Sequence, residues 1–191
     1  MSVYDTAIKR RSIRRFKDMP VPKDVLEKCV DAARLAPSGA NLQPLEYIIV
    51  DDEQLVPQVF SIIKWAAYIR PAGDPPPGHE PKAYIAILKE ASATAPWTAY
   101  DIGGAMDNIM LVALEEGVGS CALLNVDWDK LRTICSVHDS YEISLLIALG
   151  YPDESPVEEP FDGSVKYWKD EQGVLHVPKK KLEMVLHWNA F

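Results

Sequence analysis

Positive charge is scarce in this chain, with 20 Lys and Arg against 28 Asp and Glu and a formal net charge of −8. That balance argues against general nucleic-acid binding, which needs a basic face to neutralise phosphates. No run approaches 18 apolar residues, so no membrane span is expected. The basic residues near the start are not followed by an apolar stretch, so no secretory signal is expected either. Cysteine is sparse too. Cys29, Cys121 and Cys135 are odd in number and share no CxxC spacing, which suits reduced, buried thiols and a reducing, cytoplasmic setting. His79, His138, His176 and His187 are scattered without metal-ligand spacing, and neither a catalytic triad nor a working pair of carboxylates is visible.

What the chain does have is ordinary globular composition: 191 residues, 48% hydrophobic and 25% charged, enough for one well-cored domain. After Pro20-Val21-Pro22, the positions Val25, Leu26, Cys29, Val30 and Ala33 recur at helical spacing, and Ala36-Pro37 ends that helix. "LEYIIV" (45–50) reads as a strand, and a helix is expected over Glu53 to Ile69. "RPAGDPPPGHEPK" (70–82) is a long loop with five prolines, a lid or binding segment by its length. "AYIAIL" (83–88) is the next strand. From Trp97 to Glu116 the apolar residues recur at three and four, which predicts a central core helix closed by Gly117. "SCALL" (120–124) is a short strand, Asp127 caps a helix running to about Val137, and "ISLLIALG" (143–150) is a buried strand. Residues 153–173 form an excursion, and "KKKLEMVLHW" (179–188) is a final short helix or its approach. There is no repeat and no linker, so one α+β domain spanning 1–191 is expected.

The few cations are unevenly placed. Lys9, Arg10, Arg11, Arg14, Arg15 and Lys17 crowd the stretch around Ser12, and Lys179, Lys180 and Lys181 form a second group; together they are nine of the 20. Two solvated patches would explain isolated runs of charge. Here Ser12 adds a hydroxyl where guanidinium forks could grip a small anion, and Ile13 and Phe16 need something to pack against. In an extended stretch Arg10, Ser12 and Arg14 point to one side. Arg15 is the arginine least expected to reach a ligand. "APSGANLQP" (36–44) offers Ser38, Asn41 and Gln43 on a Pro- and Gly-punctuated loop, suited either to reading the edge of a heterocycle or simply to satisfying a turn. Trp65 and Tyr68, just before the lid-like loop, could stack on a planar acceptor or pack in the core.

In order along the chain, "RRSIRRF", a helix, "APSGANLQPLEYIIV", "GGAMDNIMLVALEEGVGSC", "ISLLIALGYPDE" and "KKKLEMVLHW" resemble the FMN-dependent nitroreductase family. The resemblance covers nearly the whole chain. It implies an α+β, nitroreductase-like fold, with a central, mostly antiparallel sheet flanked by helices in an intertwined homodimer. FMN would sit at the subunit interface, with NADH or NADPH as electron donor. By the same resemblance, Arg10, Arg11, Ser12 and Arg14 hold the phosphate and ribityl chain. The loop with Pro37, Ser38, Gly39, Asn41 and Gln43 reaches FMN from the neighbouring subunit. Ala122, Leu123, Leu124 and Asn125 lie along the isoalloxazine, and Lys179 and Lys181 return to the phosphate. Leu45 stands where members often carry an aromatic, and Asn125 where many carry glycine.

The function this implies is passage of hydride from NAD(P)H through flavin N5 to a planar small-molecule acceptor, such as a nitroaromatic or quinone, in a ping-pong cycle. The cofactor carries that chemistry, so no catalytic side chain is required. Reductive dehalogenation, flavin fragmentation or a non-catalytic flavin-binding or redox-sensing module are the alternatives on the same fold.

Overall fold

The long apolar period between residues 97 and 116 folds as the longest helix in the computed structural model, which describes residues 2–191. In chain order the elements are α1 (Val3–Lys9), α2 (Lys23–Arg34), β1 (Leu45–Val50), α3 (Leu55–Ser61), β2 (Ala83–Glu90), α4 (Thr98–Glu115), β3 (Gly119–Leu123), α5 (Trp128–Ile134), β4 (Tyr141–Gly150), β5 (Val157–Pro160), β6 (Trp168–Lys169) and β7 (Leu175–Lys179). Ser2 and Asp5 form a capping box at the start of α1, and the Asp127 carboxylate caps α5 through the Lys130 N–H.

The central sheet has the order β1-β2-β4-β3, and every pairing in it is antiparallel. Its two middle strands read as unbroken apolar runs because both faces are covered. Tyr84, Ala86, Leu88, Leu146 and Ala148 face a layer built on α3 and α5. Ala83, Ile85, Ile87, Ile147 and Leu149 face α2 and α4. A bulge between Ile87 and Leu88 makes Ser144 the extra residue of β4, which lets Leu145 and Ile147 share the α4 face. The result is a three-layer α/β/α arrangement.

Three expectations are corrected. The helix over 53–69 stops at Ser61. Lys64 N–H donates to the Asn125 carbonyl at 2.9 Å and Asp127 N–H to the Ile62 carbonyl at 3.0 Å, so pairing with the turn after β3 outweighs helical propensity. Residues 153–173 are not a bare excursion, because β5 and β6 flank β7 in a small sheet of order β5-β7-β6. The C-terminal helix shrinks to a single 3-10 turn at Leu182–Met184. The helix before Val137 ends at Ile134, with Ser136 turning left-handed at φ 51°.

Candidate active site

α1 hands the chain to the basic segment at Arg10, whose N–H still donates to the Thr6 carbonyl. From there the backbone is extended and tied on both sides. Ser12 bridges Ser120 in β3, Ile13 N–H donates to the Ser120 carbonyl, Phe16 N–H to the His79 carbonyl, and Lys17 N–H to the Tyr151 carbonyl. Ile13 and Phe16 are buried beneath it. Their fit depends on two glycines: a Cβ on Gly119 would lie 2.8 Å from Ile13, and one on Gly150 2.7 Å from Phe16. The arginines are thus mounted on rigid backbone.

The four arginines then divide. Arg11 is engaged by the Glu158 carboxylate and by the carbonyls of Ile8 and Arg10. Arg15 lies 3.7 Å from Asp153, which also meets His79 Nδ1 at 2.9 Å. Arg10 and Arg14, flanking Ser12, form no ion pair among the described residues. The Arg14 N–H donates to Glu154, while its guanidinium rests over the Tyr167 ring, 5.3 Å from the centroid. Arg10 and Arg11 line a cleft of about 280 Å³ with Ser120, Pro152 and Glu154.

Lys179 ends β7. Two residues earlier, Val177 pairs with Glu158, the partner of Arg11, so strand alternation puts Lys179 on the face that meets the basic segment. Lys181 lies beyond it, exposed and 4.0 Å from Glu183.

The loop at 36–44 is held differently. Ala40, Asn41 and Gln43 all have left-handed backbone, with φ of 50°, 55° and 50°. For Ala and Gln that conformation is strained and persists only when its surroundings enforce it, a pattern concentrated at ligand sites. Gly39 N–H donates to Asp101 Oδ1 at 3.0 Å, and Ser38 Oγ accepts from Gln43 N–H. The Trp97 indole occupies the space a Gly39 side chain would need, with a Cβ there 2.1 Å from Cδ1. Asp101 is buried, and its Oδ2 has no hydrogen-bond partner. Pro37, Ser38, Gln43 and Asp101 border a cleft of about 150 Å³.

The loop packs on the first turn of α4, whereas α1 reaches the last turn, where Thr6 Oγ1 donates to Glu115 at 3.2 Å. Asp101 and Glu115 are separated by about 21 Å at 1.5 Å per residue. Within one chain, the structure therefore keeps the loop and the basic segment apart.

The remaining candidates also separate. Ala122 and Leu123 end β3, and Leu123 is buried; Leu124 and Asn125 are exposed on the turn that Lys64 pins. Trp65 is buried at 3% exposure and packs against Phe60, so it is a core residue. Tyr68 is 57% exposed and touches Tyr167, ring centroids 5.0 Å apart. Cys121 lies in the core below the cluster, where burial pushes its thiol upward, and it is inert. The cavity of about 600 Å³ bordered by Asp18, Phe60, Glu80 and Lys82 contains none of the predicted site residues. Asp101, Glu154 and Tyr167 escaped the sequence reading as holders of the site. Buried acidity at the start of a core helix was the signal for Asp101; nothing local marked the other two.

Comparison with known proteins agrees with this geometry. The Nitroreductase family model matches residues 7–151. An iodotyrosine deiodinase from Thermotoga neapolitana is 26% identical over 174 residues, covering 83% of this chain and 92% of that protein. An NADH dehydrogenase from Thermus thermophilus is 27% identical over 179 residues, covering 78% and 85%. Among solved structures, an FMN-dependent nitroreductase from Clostridium difficile superposes with a TM-score of 0.70 at 26% identity, covering 97% and 98%. The chain belongs to the nitroreductase family.

Proposed function

We propose that this nitroreductase-family protein is an FMN-dependent oxidoreductase that draws electrons from NADH or NADPH and reduces a planar small-molecule acceptor. The observation that carries the reading is the pair of uncompensated guanidiniums, Arg10 and Arg14, flanking Ser12 on backbone that cannot move. Cations left without carboxylates at a built site suit a resident anion, and a flavin phosphate is the anion the family supplies. Bound FMN would supply hydride acceptance from the nicotinamide and two-electron delivery to the acceptor.

The chain's own part is to bind and orient. Arg10, Ser12 and Arg14 hold the phosphate, and Lys179 and Lys181 approach it from the end of the small sheet. Arg11, through Glu158, fixes the segment to that sheet. The turn from Ala122 to Asn125 offers backbone to the ring system, braced by Lys64. Pro37, Ser38, Gly39, Asn41 and Gln43 form a rigid, strained edge suited to a heterocycle.

A homodimer follows from the same reading. Each cleft in one chain is below the roughly 300 Å³ at which small-molecule pockets begin, and the loop stands a helix length from the basic segment. A second copy brings the two together. The exposed apolar side chains of Tyr4, Trp97 and Tyr100, and of the stretch from Leu182 to Phe191, supply surface for that association. Three free cysteines accord with a reducing cytoplasm.

Anaerobic visible spectroscopy tests the reading. Flavin bands bleached by NADH or NADPH and restored by a nitroaromatic or quinone are expected; a protein that neither carries nor takes up FMN defeats it. A second reading, reductive removal of halogen from a halotyrosine, draws on the similarity to the Thermotoga deiodinase. Turnover of iodotyrosine with none of nitroaromatics selects it.

A further inference from the structure

Tyr167 lies between the two parts of the site that have to stay in register, the cation of the basic segment and the aromatic at the edge of the proline-rich loop. One neighbour is the Arg14 guanidinium, 5.3 Å from its centroid; the other is the Tyr68 ring at 5.0 Å, tilted by 56°. We propose that Tyr167 is a positioning residue that holds Arg14 toward the cofactor anion and Tyr68 as one wall for the acceptor. This rests on the flavin reading above.

An aromatic face suits this task better than a carboxylate. Its quadrupole attracts a guanidinium without neutralising it, and a stacked guanidinium keeps its in-plane N–H fork free for a bidentate anion. A carboxylate in the same place would compete with the phosphate, as Glu158 does for Arg11. The opposite arrangement at neighbouring arginines separates the roles: Arg11 and Arg15 tie down the fold, and Arg14 is kept available.

The stretch carrying Tyr167 is itself anchored. Tyr167 is half-buried against the core on the α3 side of the sheet. The next residue, Trp168, stacks on His176 at 4.2 Å and donates through Nε1 to Glu159 at 2.7 Å. His176 is bracketed by Glu159 at 3.1 Å and Asp170 at 3.2 Å. Lys169 Nζ donates to the Ala72 carbonyl at 2.9 Å, joining the stretch to the same loop that follows Tyr68. Tyr167 is thus part of a fixed strut between the basic segment and the loop.

The test compares Tyr167→Leu, which keeps bulk without a π face, with Tyr167→Phe, which keeps the face without the hydroxyl. FMN affinity is read by flavin fluorescence, and acceptor turnover by steady-state kinetics at saturating FMN. Tyr167→Leu should raise the FMN Kd about three- to tenfold and raise the acceptor KM with kcat within twofold; Tyr167→Phe should restore both. Unchanged constants in Tyr167→Leu, or equal damage in Tyr167→Phe, overturn the proposal. Tyr68→Leu, at an exposed position that cannot threaten folding, should raise the acceptor KM and leave the FMN Kd within twofold; an unchanged KM also overturns it. A wild-type protein that takes up no FMN defeats the flavin reading and this inference together. FMN uptake with an indifferent Tyr167 defeats this inference alone.

Discussion

The basic segment at 9–17 and the C-terminal stretch at 179–191 have similar compositions, each mixing cations with large apolar residues, yet they end in opposite states. In the first, Ile13 and Phe16 are buried and the backbone is tied to β3 and to the chain beyond β4. In the second, Leu182, Met184, Val185, Leu186 and Trp188 are all exposed, and only one 3-10 turn forms. The difference teaches that one chain completes the anion-holding half of the site. The C-terminal stretch is left with an apolar face that one chain does not cover.

The sharpest way to break that comparison is to remove the uncompensated cations. Arg10→Ala and Arg14→Ala should each cost roughly 1.5–3 kcal/mol of FMN binding, and together they should yield flavin-free protein on purification. Full occupancy in the double variant, read from the visible spectrum, would show that the cluster has another role.

Next comes the mounting. Phe16→Ala leaves a void at a fully buried position beside Gly150 and should lower unfolding free energy by about 3–5 kcal/mol in urea titration. Trp188→Ala, at an exposed position, should change that quantity by less than about 0.5 kcal/mol. Deletion of residues 182–191 should leave thermal unfolding of the dilute protein little changed while weakening self-association in sedimentation. An unaltered dimer after the deletion would mean that α1 and α4 supply the contact alone.

The smallest expected effect concerns the strut. The hydrogen bond to Asp170 first, and then that to Glu159, raises the pKa of His176 above its ordinary value against the opposing effect of desolvation. A group with a raised folded-state pKa stabilises the fold fully below its unfolded pKa, about 6.5. That contribution disappears as pH rises through the higher folded-state value. Amide exchange in β5 and β7 should therefore quicken over that window, and His176→Gln should remove the pH dependence. A flat profile in the wild type would show that the two carboxylates do not hold the imidazolium.

Much of this molecule was legible along the chain. The periods of α2 and α4, the doubly buried strands β2 and β4, the Asp127 cap and the glycine after α4 all rest on interactions between near neighbours or on a face being covered, whatever covers it. The one-sided set Arg10, Ser12 and Arg14 was readable from strand alternation, and it matches the separation of those residues from the ion-paired Arg11 and Arg15.

Other features depended on partners distant in sequence. The helix expected over 53–69 yields to hydrogen bonds with residues 125–127, and Trp65 goes inside as a consequence. Asp101 anchors a loop 62 residues away, Glu158 claims Arg11 across 147, and Tyr167 finds Arg14 and Tyr68 only when the small sheet folds back. By itself the sequence determined which segments are helical or extended, and where its scarce positive charge collects, because propensity, periodicity and charge act locally. Only the tertiary structure decided which of those cations remain uncompensated, because neutralisation depends on which carboxylates the fold brings within reach.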